Sequence, residues 1–102
     1  MRIIGGNFKG KKISLPNDKK TRPLKDIVKE SIFNLIEHSN MIKVNITNSV
    51  VLDLFSGSGS FGLECLSRNA KKVFFFENYP AAIEVLNRNV KSLKNIDNYR
   101  IF

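Results

Sequence analysis

Asp53 and Glu77 are the two acids whose positions suggest chemistry. Asp53 interrupts the apolar run 50–54, and Glu77 closes the run 72–77, twenty residues after Gly57. Between them Gly57-Ser58-Gly59-Ser60-Phe61-Gly62 fits G-x-G-x-x-G. Glycines at this spacing let the chain turn tightly and let a ligand approach the main chain, while the N–H groups of a following helix point at it. No Gly-Lys-Ser/Thr follows, so this is not a P-loop. A nicotinamide or flavin dinucleotide site and an S-adenosylmethionine site both predict an acid about 20 residues on, accepting hydrogen bonds from ribose hydroxyls. Glu77 stands there. Asp53 separates the two readings. In a dinucleotide fingerprint the first glycine follows the strand almost directly, whereas here Asp-Leu-Phe-Ser precedes Gly57. A carboxylate in that place repels a pyrophosphate and attracts a ligand carrying a positive sulfur and an ammonium group. The residues therefore favour S-adenosylmethionine. An NAD(P)-binding domain of an oxidoreductase and a turn that binds nothing remain as alternatives. Against the last, an acid in an apolar run is costly unless something pairs with it.

These groups need a scaffold. From residue 50 the pattern reads strand (50–54), helix (61–68), strand (72–77), helix (80–94) and the start of a third strand (99–102). That order predicts a doubly wound α/β unit with right-handed crossovers and a ligand at the carboxyl ends of its strands. The run 50–54 has the continuous apolar character of a strand buried on both faces. Upstream, residues 2–4 and 12–15 flank glycines 5, 6 and 10 and predict a small β-hairpin. Thr21-Arg22-Pro23 resembles a helix start. A helix over about 23–38 is expected to turn Leu24, Ile27, Val28, Ile32, Leu35 and Ile36 inward. Residues 39–48 read as a connector. The chain thus divides into a basic arm (1–20), a helix with its connector (21–48) and a cofactor-binding half-domain (49–102).

The 102 residues suit one small domain, and a net charge of +8 is concentrated at one end. Residues 1–30 hold nine Lys and Arg against three acids. Such an arm suits a polyanion such as nucleic acid, or else a solvated, solubilising surface. No apolar run approaches the ~18–20 residues of a membrane span, and the first residues lack a signal peptide's apolar stretch. A single cysteine, Cys65, and a single histidine, His38, exclude an internal disulfide and the common zinc patterns. The expected location is cytoplasmic. Cys65 reads as a packed residue and Phe74–Phe76 as strand core. Phe8 reads as packing against the first helix, with base stacking as the alternative.

The run VVLDLFSGSGSFGLECLSRNA followed by VFFFE resembles motifs I and II of class I methyltransferases. MRIIGGNFKGKKI and TRPLKDIVKESIFNLI resemble the N-terminal signature of the RsmD family, bacterial enzymes that methylate the N2 amine of a guanine in 16S ribosomal RNA. The resemblance covers essentially the whole chain. It implies a Rossmann-like fold, S-adenosylmethionine as cofactor, and 16S rRNA or the assembling small ribosomal subunit as partner. It implies no metal, no membrane, and a monomer at full length. Residue by residue, it places Asp53, Ser56, Gly57 and Gly59 at the cofactor's methionine part and backbone side. Glu77 falls at the ribose, Asn78 beside the adenine, and Thr21 and Arg22 near the pocket. The basic ribbon (Arg2, Lys9, Lys11, Lys12, Lys19, Lys20) would contact RNA phosphates. One departure is large. The family's Asp/Asn-Pro-Pro-aromatic motif holds the target amine and stacks on a flipped base. Pro16, Pro23 and Pro80 are the only prolines here, and no two are adjacent. No catalytic residue is therefore assigned. The chain is expected to be the N-terminal half of such an enzyme, inactive alone. A non-enzymatic RNA-binding module is the further alternative.

Overall fold

The computed structural model describes residues 1–16 and 25–102. Three parallel strands, β1 (Val50–Asp53), β2 (Lys72–Phe75) and β3 (Tyr99–Ile101), lie in the order β1-β2-β3. Helix α2 (Ser60–Ser67) connects β1 to β2, and α3 (Pro80–Lys91) connects β2 to β3. Helix α1 (Asp26–His38) precedes them. The strand–helix alternation is the one the sequence predicts, and short αβ loops leave parallel pairing as the available arrangement. β2 is central, with Val73 and Phe75 wholly buried. They join Leu63 and Leu66 of α2, Leu86 and Val90 of α3, and Phe33 of α1 in one core. Helix α3 begins with Pro80 in its first turn, where the missing N–H costs nothing. Its Ala82, Val85, Leu86 and Val90 fall on one face and are buried.

Three expectations need correction. First, β1 is not buried on both faces. It is an edge of the sheet among the described residues, and Val50 and Leu52 are 60% and 59% exposed. Second, the apolar stripe of α1 faces inward only in part: Ile32 and Ile36 are half-buried, with Ile36 against the core, but Ile27, Val28 and Leu35 are exposed, while Lys29 and Phe33 are buried. Periodicity counts a lysine as an outward residue, but this ammonium has buried partners that hold it inside. The helix begins at Asp26, and the expected start at Thr21–Pro23 lies outside the described residues. Third, the N-terminal hairpin is reduced to one antiparallel bridge, Arg2 to Lys12, with a 3-10 turn at Gly6–Phe8 between its arms. Backbone bonds still join the arms (Ile3 N–H to the Lys11 carbonyl at 2.9 Å, Gly10 N–H to the Ile3 carbonyl at 2.8 Å, Ile13 N–H to the Met1 carbonyl at 3.0 Å), and side chains of the helices take further N–H groups. The Ile4 and Gly5 N–H groups donate to Glu64, and the Ser14 N–H donates to Asn89 Oδ1.

Candidate cofactor site

The site is built where β1 and β2 end side by side. In the parallel register Asp53 lies opposite Phe75, so Glu77, two residues further on, emerges beside the loop that leaves β1. The Phe76 carbonyl accepts the N–H groups of Phe55 (3.2 Å) and Ser56 (3.0 Å), folding the loop back over the strand ends. The Ser56 hydroxyl donates to the Asp53 carbonyl at 2.7 Å and accepts the Phe76 N–H at 3.0 Å. Ser56 is buried and acts as an internal brace.

Glu77 ties down the glycine loop. Its Oε1 accepts the Gly57 N–H at 2.7 Å. Its Oε2 accepts the N–H groups of Asn78 (3.1 Å) and Tyr79 (3.0 Å). Gly57 and Gly59 have φ of 57° and 90°, the left-handed region that glycine enters without strain. Gly59 is also required for packing, because a Cβ there would overlap Leu86.

Asp53 Oδ2 accepts the Gly62 N–H at 3.1 Å, from the first turn of α2. Burial pushes the Asp53 carboxyl up from 3.8 to about 6, the Gly62 hydrogen bond opposes this, and the nearby Glu77 charge adds to the rise. Among the described residues Asp53 has no ion-pair partner. The site thus holds a desolvated carboxylate that a cation would stabilise.

A cavity of about 410 Å³ opens beside these acids, lined by Leu54, Phe55, Phe76, Glu77, Asn78 and Phe102. Phe76 and Phe102 stack with ring centroids 5.0 Å apart, giving an apolar wall suited to a flat ring. Of the residues assigned to the cofactor, Glu77 and Asn78 line this cavity, whereas Asp53, Ser56, Gly57 and Gly59 belong to the adjoining strand end and loop and do not line it. Thr21 and Arg22 lie outside the described residues. Sequence reasoning missed the aromatic wall. Phe55 is the one member with a readable signal: it sits between Asp53 and Gly57, where loop chemistry calls for small or polar residues. It holds φ of 95° and is 96% exposed, a costly state for a bulky side chain.

Of the expected RNA-contacting residues, Arg2, Lys9, Lys11 and Lys12 are exposed on the N-terminal segment, and Lys19 and Lys20 lie outside the described residues. Arg2 is paired with Asp26 at 3.8 Å. Phe8 is half-buried against the core, which supports its packing use. Cys65 is buried, and burial pushes its thiol up to about 12, so it is inert. Among the described residues no group of three or more His, Cys, Asp or Glu could hold a metal. Among the described residues no helix is long and apolar enough to cross a membrane.

A family model described as "Conserved hypothetical protein 95" matches residues 1–102. The chain is 42% identical over 94 residues to "Ribosomal RNA small subunit methyltransferase D" of Haemophilus influenzae, covering 92% of this chain and 46% of that protein. It is 37% identical to the protein of the same name in Escherichia coli, covering 92% and 44%. The solved structure "Putative methyltransferase yhhF" from Escherichia coli superposes with a TM-score of 0.79 at 36% identity, covering 99% of this chain and 50% of that one. The chain thus spans about half the length of the relatives it matches.

Proposed function

The chain belongs to the RsmD family, whose model it matches from end to end, with a class I methyltransferase arrangement of strands and helices, and from that premise we propose that it is the S-adenosylmethionine-binding half of an rRNA methyltransferase. The target is the N2 amine of a guanine in 16S rRNA, met on the cytoplasmic small subunit or its assembly intermediates. One observation carries the cofactor assignment: a desolvated carboxylate without a cationic partner, Asp53, sits at a strand end beside a cavity that Glu77 lines. An anionic pyrophosphate would raise the cost of that charge, and a ligand with an ammonium and a sulfonium lowers it.

The residues present fit such a ligand. Asp53 faces its positive end, Glu77 keeps acceptor capacity on Oε1 for a ribose hydroxyl, and Phe76, Phe102 and Asn78 border the ring. When bound, the cofactor supplies an electrophilic methyl group. The chain's own residues hold it in one orientation and cover one side of it, which is the positioning part of a transfer reaction. The group that would hold the target amine is not among these residues, since no Pro-Pro pair occurs. The chain alone is therefore expected to bind cofactor and RNA without completing transfer. The exposed Lys9, Lys11 and Lys12 would meet RNA phosphates, setting position without reading sequence.

Calorimetric titration of S-adenosylmethionine into the chain and its Asp53→Ala and Glu77→Ala variants tests the assignment. The wild type should bind, and each variant should lose at least about tenfold in affinity while keeping its far-UV circular dichroism, as expected when a charged hydrogen-bond partner is removed. Unchanged affinity in both variants would contradict the site.

A further inference from the structure

Helix α2 carries two sets of contacts along its short length. Its first turn holds Asp53 through Gly62, beside the cofactor cavity. Its later residues hold the basic N-terminal segment. Glu64 accepts the Ile4 N–H on Oε1 (2.8 Å) and the Gly5 N–H on Oε2 (2.9 Å). The Ser67 hydroxyl donates to the Gly5 carbonyl at 2.5 Å and accepts the Phe8 N–H at 2.9 Å. Gly6 lies so close to the Ser67 carbonyl that a Cβ there would overlap it.

The clamp is ionic as well as hydrogen-bonded. Lys29 of α1 and Glu64 are both fully buried, with Nζ 3.3 Å from Oε1. Lys29 Nζ also donates to the Arg2 carbonyl (2.7 Å) and to the Ser60 hydroxyl (3.0 Å) at the start of α2. Arg68 reaches Glu64 Oε2 at 2.9 Å and Glu37 at 2.8 Å. A buried ion pair is a poor way to gain stability, since apolar residues of similar volume do as well or better. A network that instead fixes which segment docks where is a known use of such groups.

We propose that Glu64 and Ser67 are positioning residues that set the register between the RNA-gripping segment and the methyl-donor site, with α2 as the rigid bar between them. Eight residues of helix span only about 12 Å. Lys9 and Lys11, which immediately follow the docked Gly5–Phe8 stretch, are thereby held at a fixed distance from the cofactor loop. Backbone bonds between Ile3 and Lys11, Gly10 and Ile3, and Ile13 and Met1 hold the two arms to each other, while the N–H groups of Ile4, Gly5 and Phe8 go to α2, so the side chains of α2 set where the paired arms dock. The inference rests on the RNA-contacting role proposed above for those lysines.

The test uses the whole chain, with Ser67→Ala and Glu64→Gln. Ser67→Ala removes two clamp bonds and leaves the ion pairs alone, so it serves if Glu64→Gln fails to fold. Three quantities are read: hydrogen exchange at Ile4, Gly5 and Phe8, affinity for S-adenosylmethionine, and affinity for a 16S rRNA fragment. The expected result is faster exchange at those amides and RNA binding weakened about five- to tenfold, with cofactor affinity within twofold, the size expected for one or two lost hydrogen bonds. A role in stability alone would weaken RNA and cofactor together, which overturns the proposal. So does faster exchange with unchanged RNA affinity. A Lys9→Gln/Lys11→Gln/Lys12→Gln variant separates the underlying reading. If it binds RNA as the wild type does, the lysines are not the grip, and both that reading and this inference fail.

Discussion

At the scale of single residues, Asp53 carries the account. Its folded-state carboxyl lies near 6 rather than 3.8, so the native chain takes up a proton more readily than the unfolded chain. Stability therefore rises as pH falls from about 6 toward about 4, and is lower above that window, where the buried charge must be carried. Asp53→Asn removes that charge. The displacement corresponds to at most ~3 kcal/mol, and the half-buried setting reduces the expected gain to ~1–2 kcal/mol at pH 7. Urea denaturation of both chains at pH 4 and pH 7 measures it, and the difference between them should shrink at pH 4. A stability gain coupled to a loss of cofactor binding is the signature of a residue kept for function. Glu77 has the opposite character. Its three backbone N–H partners make it structural as well as cavity-lining, so Glu77→Ala should cost ~1–3 kcal/mol in the same assay.

At the scale of elements, α1 shows how sequence periodicity can mislead. The apolar spacing of Ile27, Val28 and Leu35 points to an inward stripe, yet Ile27 is 73% exposed and Lys29 is fully buried. Phe33→Ala should therefore cost ~3–5 kcal/mol, whereas Ile27→Lys should stay within ~0.5 kcal/mol of wild type. Denaturation midpoints of the two variants decide between this packing and the stripe. The strand–helix–strand–helix–strand order was legible because β2 and α3 follow their periods closely, with Val73 and Phe75 alternating inward and Ala82, Val85, Leu86 and Val90 on one helical face. The acids of the site were legible because a carboxylate breaks an apolar run visibly. The aromatic wall was not, since it forms only when Phe76 of one strand end meets Phe102 of another. The clamp was hidden for a similar reason. Glu64 and Lys29 lie 35 residues apart, and nothing local marks either as buried.

At the scale of the molecule, charge is unevenly placed. The net +8 lies largely in the first third of the chain, while the candidate cofactor site presents two acids. On the proposed function, RNA and cofactor would be drawn to different parts of the same small body, with α2 between them. RNA affinity should fall steeply with salt. Replacing Lys9, Lys11 and Lys12 together with glutamine should reduce the slope of log K against log salt by about 2, on the basis of ~0.7 per phosphate contact for single strands. Filter binding across a salt series measures it, and an unchanged slope would place the RNA elsewhere.

The most direct measurement is the affinity for S-adenosylmethionine by calorimetry from pH 5 to pH 8, with NADH as the comparison ligand. If Asp53 holds the positive end of the cofactor, binding is strongest above the carboxyl's value near 6 and weakens about tenfold by pH 5, as the carboxylate is protonated. The Asp53→Asn variant should then bind weakly at every pH, and NADH should not bind. A pH-independent affinity equal in the wild type and the variant, or binding of NADH alone, would contradict the assignment of the site.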